Sequence, residues 1–336
     1  MRKQMVRLVG ALVAATLVLA ACGGESSSTT QPSGGNTTEA PAELPYIALI
    51  SKGFQHQFWQ AVKLGAEQAA EELGAEVTFE GPESEGDVDQ QMQLLQTALD
   101  KNPDAVGFAA VDSQAAGPLM EQAESKGIPV IAFDSGVDSD VPVTTATTDN
   151  LAASAEAAKN MAELIGHSGK IALVVHDQTS VTGVERRDGF VEYMEANEPD
   201  IEIIDIQYGG DPRVATDIAK AILTANPDLV GIYGSNEGAA IGVVQAVTEL
   251  GLEDAAKSGE LVVIGFDSGK AQMDAIRSGL MAGAITQNPV GIGYETVKAA
   301  LAVINGDSVP KVIDTGFYWY NADNIDDPEI QAVLYE

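Results

Sequence analysis

Seven residues are written almost twice in this chain, VIAFDSG at 130–136 and VIGFDSG at 263–269, 133 positions apart. Two further echoes accompany them: YIALI at 46–50 with KIALV at 170–174, and NPDAVGF at 102–108 with NPDLVGI at 226–232, both offset by 124. An offset that stays at 124 and lengthens to 133 only after the second NPD segment marks a duplicated unit with one insertion, for which GLEDAAKSGE at 251–260 is the candidate. The chain must fold as two similar halves.

Within each half, apolar runs of strand length alternate with helical patterns. The first half has strand-like YIALIS (46–51), AEVTFEGP (75–82), AVGFAAV (105–111) and the run at 129–134, separated by helical stretches at 58–74, 87–102 and 115–127. The second half repeats the plan with KIALVVHD (170–177), IEIIDIQYG (201–209), LVGIYGSN (229–236) and LVVIGFD (261–267). The strands are unbroken runs of Val, Ile, Ala and Phe, as sheets covered on both faces require, and strand–helix–strand order predicts parallel pairing through right-handed crossovers. Glycine after Leu73 and after Lys126 supplies helix stops.

AGAITQNP (282–289), the helical stretch 290–306 and VIDTGFYWYN (312–321) do not fit inside the second unit. A chain that crosses back to complete the first half accounts for them. The expected fold class is thus α/β, two Rossmann-like parallel-sheet lobes joined by three crossing segments. Lobe 1 takes 45–149 and 288–312, and lobe 2 takes 150–287 and 313–336.

Ahead of these lobes, Arg2, Lys3 and Arg7 precede an apolar run from Leu8 to Ala21 that ends in Leu19-Ala20-Ala21-Cys22. This order of charged, apolar and small residues predicts a cleaved secretory signal over 1–22, the apolar run being shorter than the roughly 20 residues a spanning helix needs. Cys22 is the single cysteine, so no intramolecular disulfide forms, and its setting resembles the lipobox of bacterial lipoproteins. Residues 23–44 are rich in Ser, Thr, Gly and Pro and predict a flexible tether. The formal charge of −32 excludes nucleic acid and anionic lipid surfaces as partners, because both need a positive field.

Ligands of open parallel sheets sit beyond the carboxyl ends of the strands. Asp134 and Asp267 stand at that place in the repeated motif, Lys52 follows IALIS, Asn236 follows LVGIYGS, and Gln287 follows AGAIT. Asp-Ser-Gly is also good turn chemistry, so either aspartate alone could be a turn or cap. Carboxylate, amide and ammonium groups converging on one cleft suit a ligand with many hydroxyls, each of which needs a replacement for lost water. Phe58 and Trp59, beside His56, open a helix; neighbours there point about 100° apart, so at least one ring is expected to face the cleft.

The order of IALISKGFQHQFW (47–59), IPVIAFDSG (128–136), TTDN (147–150), RRDGF (186–190), SNEGAAIG (235–242), VVIGFDSG (262–269) and AITQNPVGIG (284–293) resembles the periplasmic binding proteins of the ribose type. The resemblance runs from Tyr46 to about Tyr320 and implies periplasmic binding protein type I architecture and delivery of a sugar to an ABC importer. Carried over by position, it implies Lys52, His56, Phe58 and Trp59 in the first-strand loop of the site, and Asp134, Ser135, Asn236, Asp267 and Gln287 on ligand hydroxyls. Arg186 matches a structural position. Ribose binders place arginines where this chain has Ser135 and Val184, and a second-lobe cleft aromatic where it has Gly210, with Tyr208 as the nearest substitute. These departures point to another pentose, a hexose or an acyclic sugar alcohol.

The resemblance further implies an extracytoplasmic, lipid-anchored monomer without cofactor, partnered by an ABC permease and its ATPase. An alternative is a sensory protein for a sugar or furanose signal, since VTFEGPE (77–83) and Lys52 are also similar to the autoinducer-binding branch. Paired carboxylates near a sugar also suit a glycosidase. The lysine and amides around them are expected to keep both ionised, which fits hydrogen-bond acceptance instead, and no G-x-S-x-G, H-E-x-x-H or P-loop motif occurs, so no enzyme is expected. His56, His167 and His176 lack metal spacing, and Asp138 with Asp140, or Asp323 with Asp326 and Asp327, read as solvated loops. Tyr335 reads as a surface aromatic.

Overall fold

Residues 43–335 are described by the computed structural model; residues 1–42, on which the expected signal segment, Cys22 and most of the expected tether fall, lie outside them. In chain order the first elements are β1 (Tyr46–Ile50), α1 (Gln57–Leu73), β2 (Glu76–Glu80), α2 (Val88–Asp100), β3 (Ala105–Phe108), α3 (Gly117–Lys126), β4 (Val130–Phe133) and β5 (Thr144–Thr147). The chain continues through α4 (Asn150–Ile165), β6 (Gly169–Val175), α5 (Val181–Asn197), β7 (Ile201–Tyr208), α6 (Pro212–Ala225), β8 (Leu229–Gly234) and α7 (Glu237–Glu249). It ends with α8 (Glu253–Ser258), β9 (Val262–Phe266), α9 (Lys270–Arg277), β10 (Gly283–Gln287), α10 (Pro289–Ile304), β11 (Val312–Asp314), β12 (Phe317–Asn321) and α11 (Pro328–Gln331).

These strands form two six-stranded sheets, ordered β2-β1-β3-β4-β5-β11 and β7-β6-β8-β9-β10-β12. The orders correspond strand for strand, so the duplication read in the letters is a duplication of topology. α8 falls within the candidate insertion and has no counterpart between β3 and β4. Every pairing is parallel except that of β10 with β12. β3, β4, β9 and β10 are buried along their whole length, because helices cover both faces of each sheet. VIDTGFYWYN, read as one strand, is two: Gly316 at φ 78° breaks the run, β11 pairs with β5 in the first sheet, and β12 with β10 in the second. The chain thus changes sheet after β5, after β10 and at Thr315–Gly316. Among the described residues no helix is long and apolar enough to cross a membrane.

Tyr335 is not a surface residue. It is buried, its ring lies edge-on to Phe58 at 6.1 Å, and its hydroxyl accepts the Ser268 N–H at 3.1 Å. α11, by contrast, sets Ile330 into the core of the second sheet, so the last residues run from one lobe to the other.

Helix termini follow the residues present. Asp149, Ser180, Asp211, Asn236 and Asn288 cap α4, α5, α6, α7 and α10 by accepting first-turn N–H groups, while Gly74 and Gly127 take φ 78° and 70° after α1 and α3. Against the first sheet α1 and α10 touch backbone to backbone: a Cβ on Gly65 would strike the Val290 carbonyl, and one on Gly293 the Val62 carbonyl. Gly293→Ala is therefore expected to lower stability by about 1–3 kcal/mol, the usual cost of overpacking. Gly117→Ala, where a Cβ would meet nothing within 4 Å, should be neutral or slightly stabilising. Urea melts of the two variants check the contrast, and equal midpoints would contradict the tight helix contact.

Candidate functional site

The repeated FDS sequence ends β4 and β9 in the same way. Asp134 has φ 55° and Asp267 φ 82°, a left-handed turn that costs most L-residues of order 1 kcal/mol and that Asp tolerates comparatively well. Each donates its N–H to the neighbouring strand, Asp134 to the Ala146 carbonyl at 2.8 Å and Asp267 to that of Ile285 at 2.6 Å. Both carboxylates thereby turn off the strand ends into one shared cavity.

The two then differ. Asp267 has a protein donor on each oxygen: Oδ2 accepts the Glu237 N–H at 2.9 Å, Oδ1 accepts from Gln287 Nε2 at 2.7 Å, and Arg186 Nη1 lies 3.9 Å away. The Asp134 carboxylate receives no hydrogen bond from any described residue, although it is buried. Gln287, turned by its bond to Asp267, leaves its buried Oε1 unpaired. Both residues line the cavity, and these acceptors have no donor among the described residues.

The walls are mostly rigid. Arg186 projects from α5, donates to Asn150 Oδ1 at 2.8 Å and the Ser235 carbonyl at 3.0 Å, and lies 3.7 Å above the centre of the Phe266 ring. Asn236, at the end of β8, is held by capping α7 through the Ala239 N–H at 2.8 Å. Lys52 reaches from the first lobe into the second, with Nζ 3.3 Å from both Ser180 Oγ and Thr182 Oγ1 and 3.6 Å from Asp177. Burial opposes the Lys52 charge, but Asp177, Glu85 and Asp134 outweigh it and hold the ammonium above its ordinary pKa. Burial also pushes His176 down, so that imidazole is neutral; Ser235 Oγ lies 2.7 Å from its Nδ1.

Phe58 and Trp59 both line the cavity and both pack in the first-sheet core, in edge contact at 5.0 Å. Pointing about 100° apart does not keep the two from one core contact, because large rings at the first turn can meet edge to face. Trp59 is further fixed by donating Nε1–H to Glu85 Oε1 at 2.6 Å.

The Periplasmic binding protein domain matches residues 47–308. The chain belongs to that family of solute-binding proteins. It is 30% identical to the D-allose-binding periplasmic protein of Escherichia coli over 82% of this chain and 89% of that one. A carbohydrate transporter solute binding protein from Agrobacterium radiobacter, solved with D-arabinose, superposes with a TM-score of 0.83 at 32% identity, covering 88% of this chain and 100% of that one. An ABC transporter solute binding protein from Agrobacterium vitis with bound D-fucose gives a TM-score of 0.82 at 32% identity, over 86% and 100%.

Measured against the sequence expectations for this binding protein, the cavity brings together Lys52, His56, Phe58, Trp59, Asp134, Asn236, Asp267 and Gln287. Ser135 and Tyr208 do not line it. Ser135 turns inward as its N–H bonds the Phe133 carbonyl, and its side chain is fully buried with Oγ unpaired. Tyr208 instead takes the Arg187 Nη1–H at 3.4 Å, and the wall it was to supply belongs to His176, whose Cβ would lie 3.1 Å from a Cβ on Gly210. Arg186, expected only to be structural, lines the cavity as well.

Glu85, His176 and Thr182 also line the cavity and were not anticipated. Two of them were within reach of the repeat, since the offset of 124 carries Lys52 onto His176 and Phe58 onto Thr182. Glu85 sits in a loop beyond β2, where no pattern marks it.

The expectation that both aspartates stay ionised fails for Asp134, which burial pushes up to about 7 despite Lys52 and Arg186. A carboxyl raised above its unfolded value near 4 contributes stability that is fully present below that value and lost as pH rises through about 7. Asp134→Asn should therefore melt higher than the parent protein at pH 8 without sugar, with the gap closing toward pH 4. Thermal melts across that range check it, and identical curves at pH 8 would show that burial of this carboxylate costs nothing.

Proposed function

We propose that this protein is the extracytoplasmic solute-binding component of an ABC importer, taking one monosaccharide or sugar alcohol in the cleft between its lobes and delivering it to the permease. The observation that carries this reading is the pair of donor-less acceptors, the Asp134 carboxylate and Gln287 Oε1, buried beside two aromatic rings. A buried acceptor without a donor costs on the order of 1–3 kcal/mol, a cost that hydroxyl groups of a ligand remove. Phe58 and Trp59 present flat faces for the C–H side of a sugar ring. The two rings and the buried polar groups line one cavity, a combination that suits a single sugar ring or a short polyol.

The charges support a neutral ligand. Lys52 is engaged by Asp177, Ser180 and Thr182, and Arg186 by Asn150, Ser235 and Asp267, so no guanidinium or ammonium is left to neutralise a carboxylate or phosphate. The loss of the two ribose-type arginines at Ser135 and Val184 favours another pentose, a hexose or an acyclic sugar alcohol over ribose. Groups fixed by hydrogen bonds to the protein, with no activated nucleophile among them, favour binding over catalysis. In this reading Cys22 carries a lipid anchor, residues 23–44 tether a monomer to the membrane, and closure around the sugar presents the form the permease recognises.

The test is a thermal-shift screen of pentoses, hexoses, polyols and furanose signals, followed by calorimetry. A ligand that binds only the folded state raises the melting temperature by mass action. One sugar or polyol is expected to stabilise the protein, and Asp134→Ala to weaken its binding at least tenfold while the protein stays folded. Trp59→Ala should lose affinity and stability together, since that ring is also core. Wild-type affinity in Asp134→Ala would remove the cleft as the binding site.

A further inference from the structure

Gly269 closes the second copy of the repeated motif, and its surroundings differ from those of its counterpart. A Cβ on Gly136 would meet only Val181, at 3.6 Å, whereas one on Gly269 would lie 2.8 Å from the Glu237 carboxylate carbon and 3.1 Å from Gln57 Oε1. Glu237 and Gln57 belong to opposite lobes, to the first residues of α7 and α1, and neither lines the cavity.

Their hydrogen bonds are reciprocal. α1 begins after His56, which gives it no side-chain cap, and the Glu237 carboxylate fills that role from across the cleft: Oε1 accepts the Gln57 N–H and Oε2 the Phe58 N–H, both at 3.3 Å. α9 begins after Gly269, which has no side chain with which to cap, and Gln57 Oε1 accepts the Lys270 N–H at 2.8 Å. First-turn N–H groups have no partner within their own helix, and a carboxylate there also meets the positive end of the helix dipole. Each lobe thus completes a helix of the other. Both helix starts adjoin the site, since Phe58 lines the cavity and Gly269 stands two residues beyond Asp267.

We propose that Glu237 and Gln57 form a reciprocal latch whose strength sets how readily the lobes close, and through closure the affinity of the cleft. They are positioning residues, acting on the ligand through α1 and α9. The effect on affinity rests on the sugar-binding reading above; the effect on closure does not.

Closure is therefore measured without sugar. Ser113 and Thr179 meet across the lobes, the Ser113 N–H donating to the Thr179 carbonyl at 3.0 Å. In a Cys22→Ser background, cysteines at both positions form a disulfide in a glutathione buffer at a rate proportional to the closed fraction, however small that fraction is. Glu237→Ala should slow trapping at least tenfold, Gln57→Ala several-fold, and Glu237→Gln, which keeps an acceptor oxygen, by an intermediate factor. Melting temperatures identify any variant that fails to fold; Glu237→Gln and Gln57→Ala then carry the test. Rates within twofold of the parent pair, or a parent pair that never traps, would overturn the latch. Calorimetry with D-allose as the probe is run separately: weaker binding in the variants extends the latch to affinity, unchanged binding confines it to closure and overturns that extension, and absence of heat counts against D-allose recognition while leaving the trapping result intact.

Discussion

The structure depends on the way two strands end. Asp134 and Asp267 leave β4 and β9 through left-handed turns, so that both carboxylates enter one shared cavity. Like charges brought together away from water repel and lose hydration, and the rest of the site is arranged around that cost. Arg186, Gln287 and the Glu237 N–H converge on Asp267, and Lys52 crosses from the other side with Asp177 as its counter-ion.

The duplication supplied two equal positions, and the surroundings made them unequal. Asp267 has a protein donor on each carboxylate oxygen, and Tyr320 also donates its hydroxyl to the Asp267 carbonyl at 2.9 Å. Asp134 has the same backbone, and the Thr147 hydroxyl donates to its carbonyl at 2.6 Å, but its carboxylate receives no hydrogen bond from a described residue. The matching glycines diverge too, since Gly136 lies in open surroundings and Gly269 is pressed between Glu237 and Gln57. One copy of the motif is tied into the second lobe, and the other keeps its carboxylate without a protein donor.

Much of this was legible in the letters, because residues at strand ends are fixed by the register of the strand itself. Asp134, Asp267, Lys52, Asn236 and Gln287 each follow an unbroken apolar run, and all five line the cavity. Residues whose placement depends on tertiary contacts were harder to read. Arg186 projects from the middle of α5, and Glu85 comes from a loop that Trp59 fixes, so neither carries a periodic signal. Ser135 was misplaced because the turn that aims Asp134 outward sends the next side chain inward. His176 does carry a signal, because the offset of 124 places it opposite Lys52 at the end of the matching strand.

The unequal aspartates also explain why closure and binding belong together. In this arrangement the Asp134 carboxylate and Gln287 Oε1 are buried with no donor in exchange for water, and burial pushes the Asp134 carboxyl up to about 7. The contacts that favour closure, Lys52 on α5 and the Glu237–Gln57 exchange between helix ends, work against that cost. A molecule that brings hydroxyl donors to both acceptors removes the opposing term and leaves the favourable ones. In the proposed function closure then follows from the chemistry of the ligand, because a molecule that replaces the lost water at Asp134 and Gln287 shifts the balance between the two lobes.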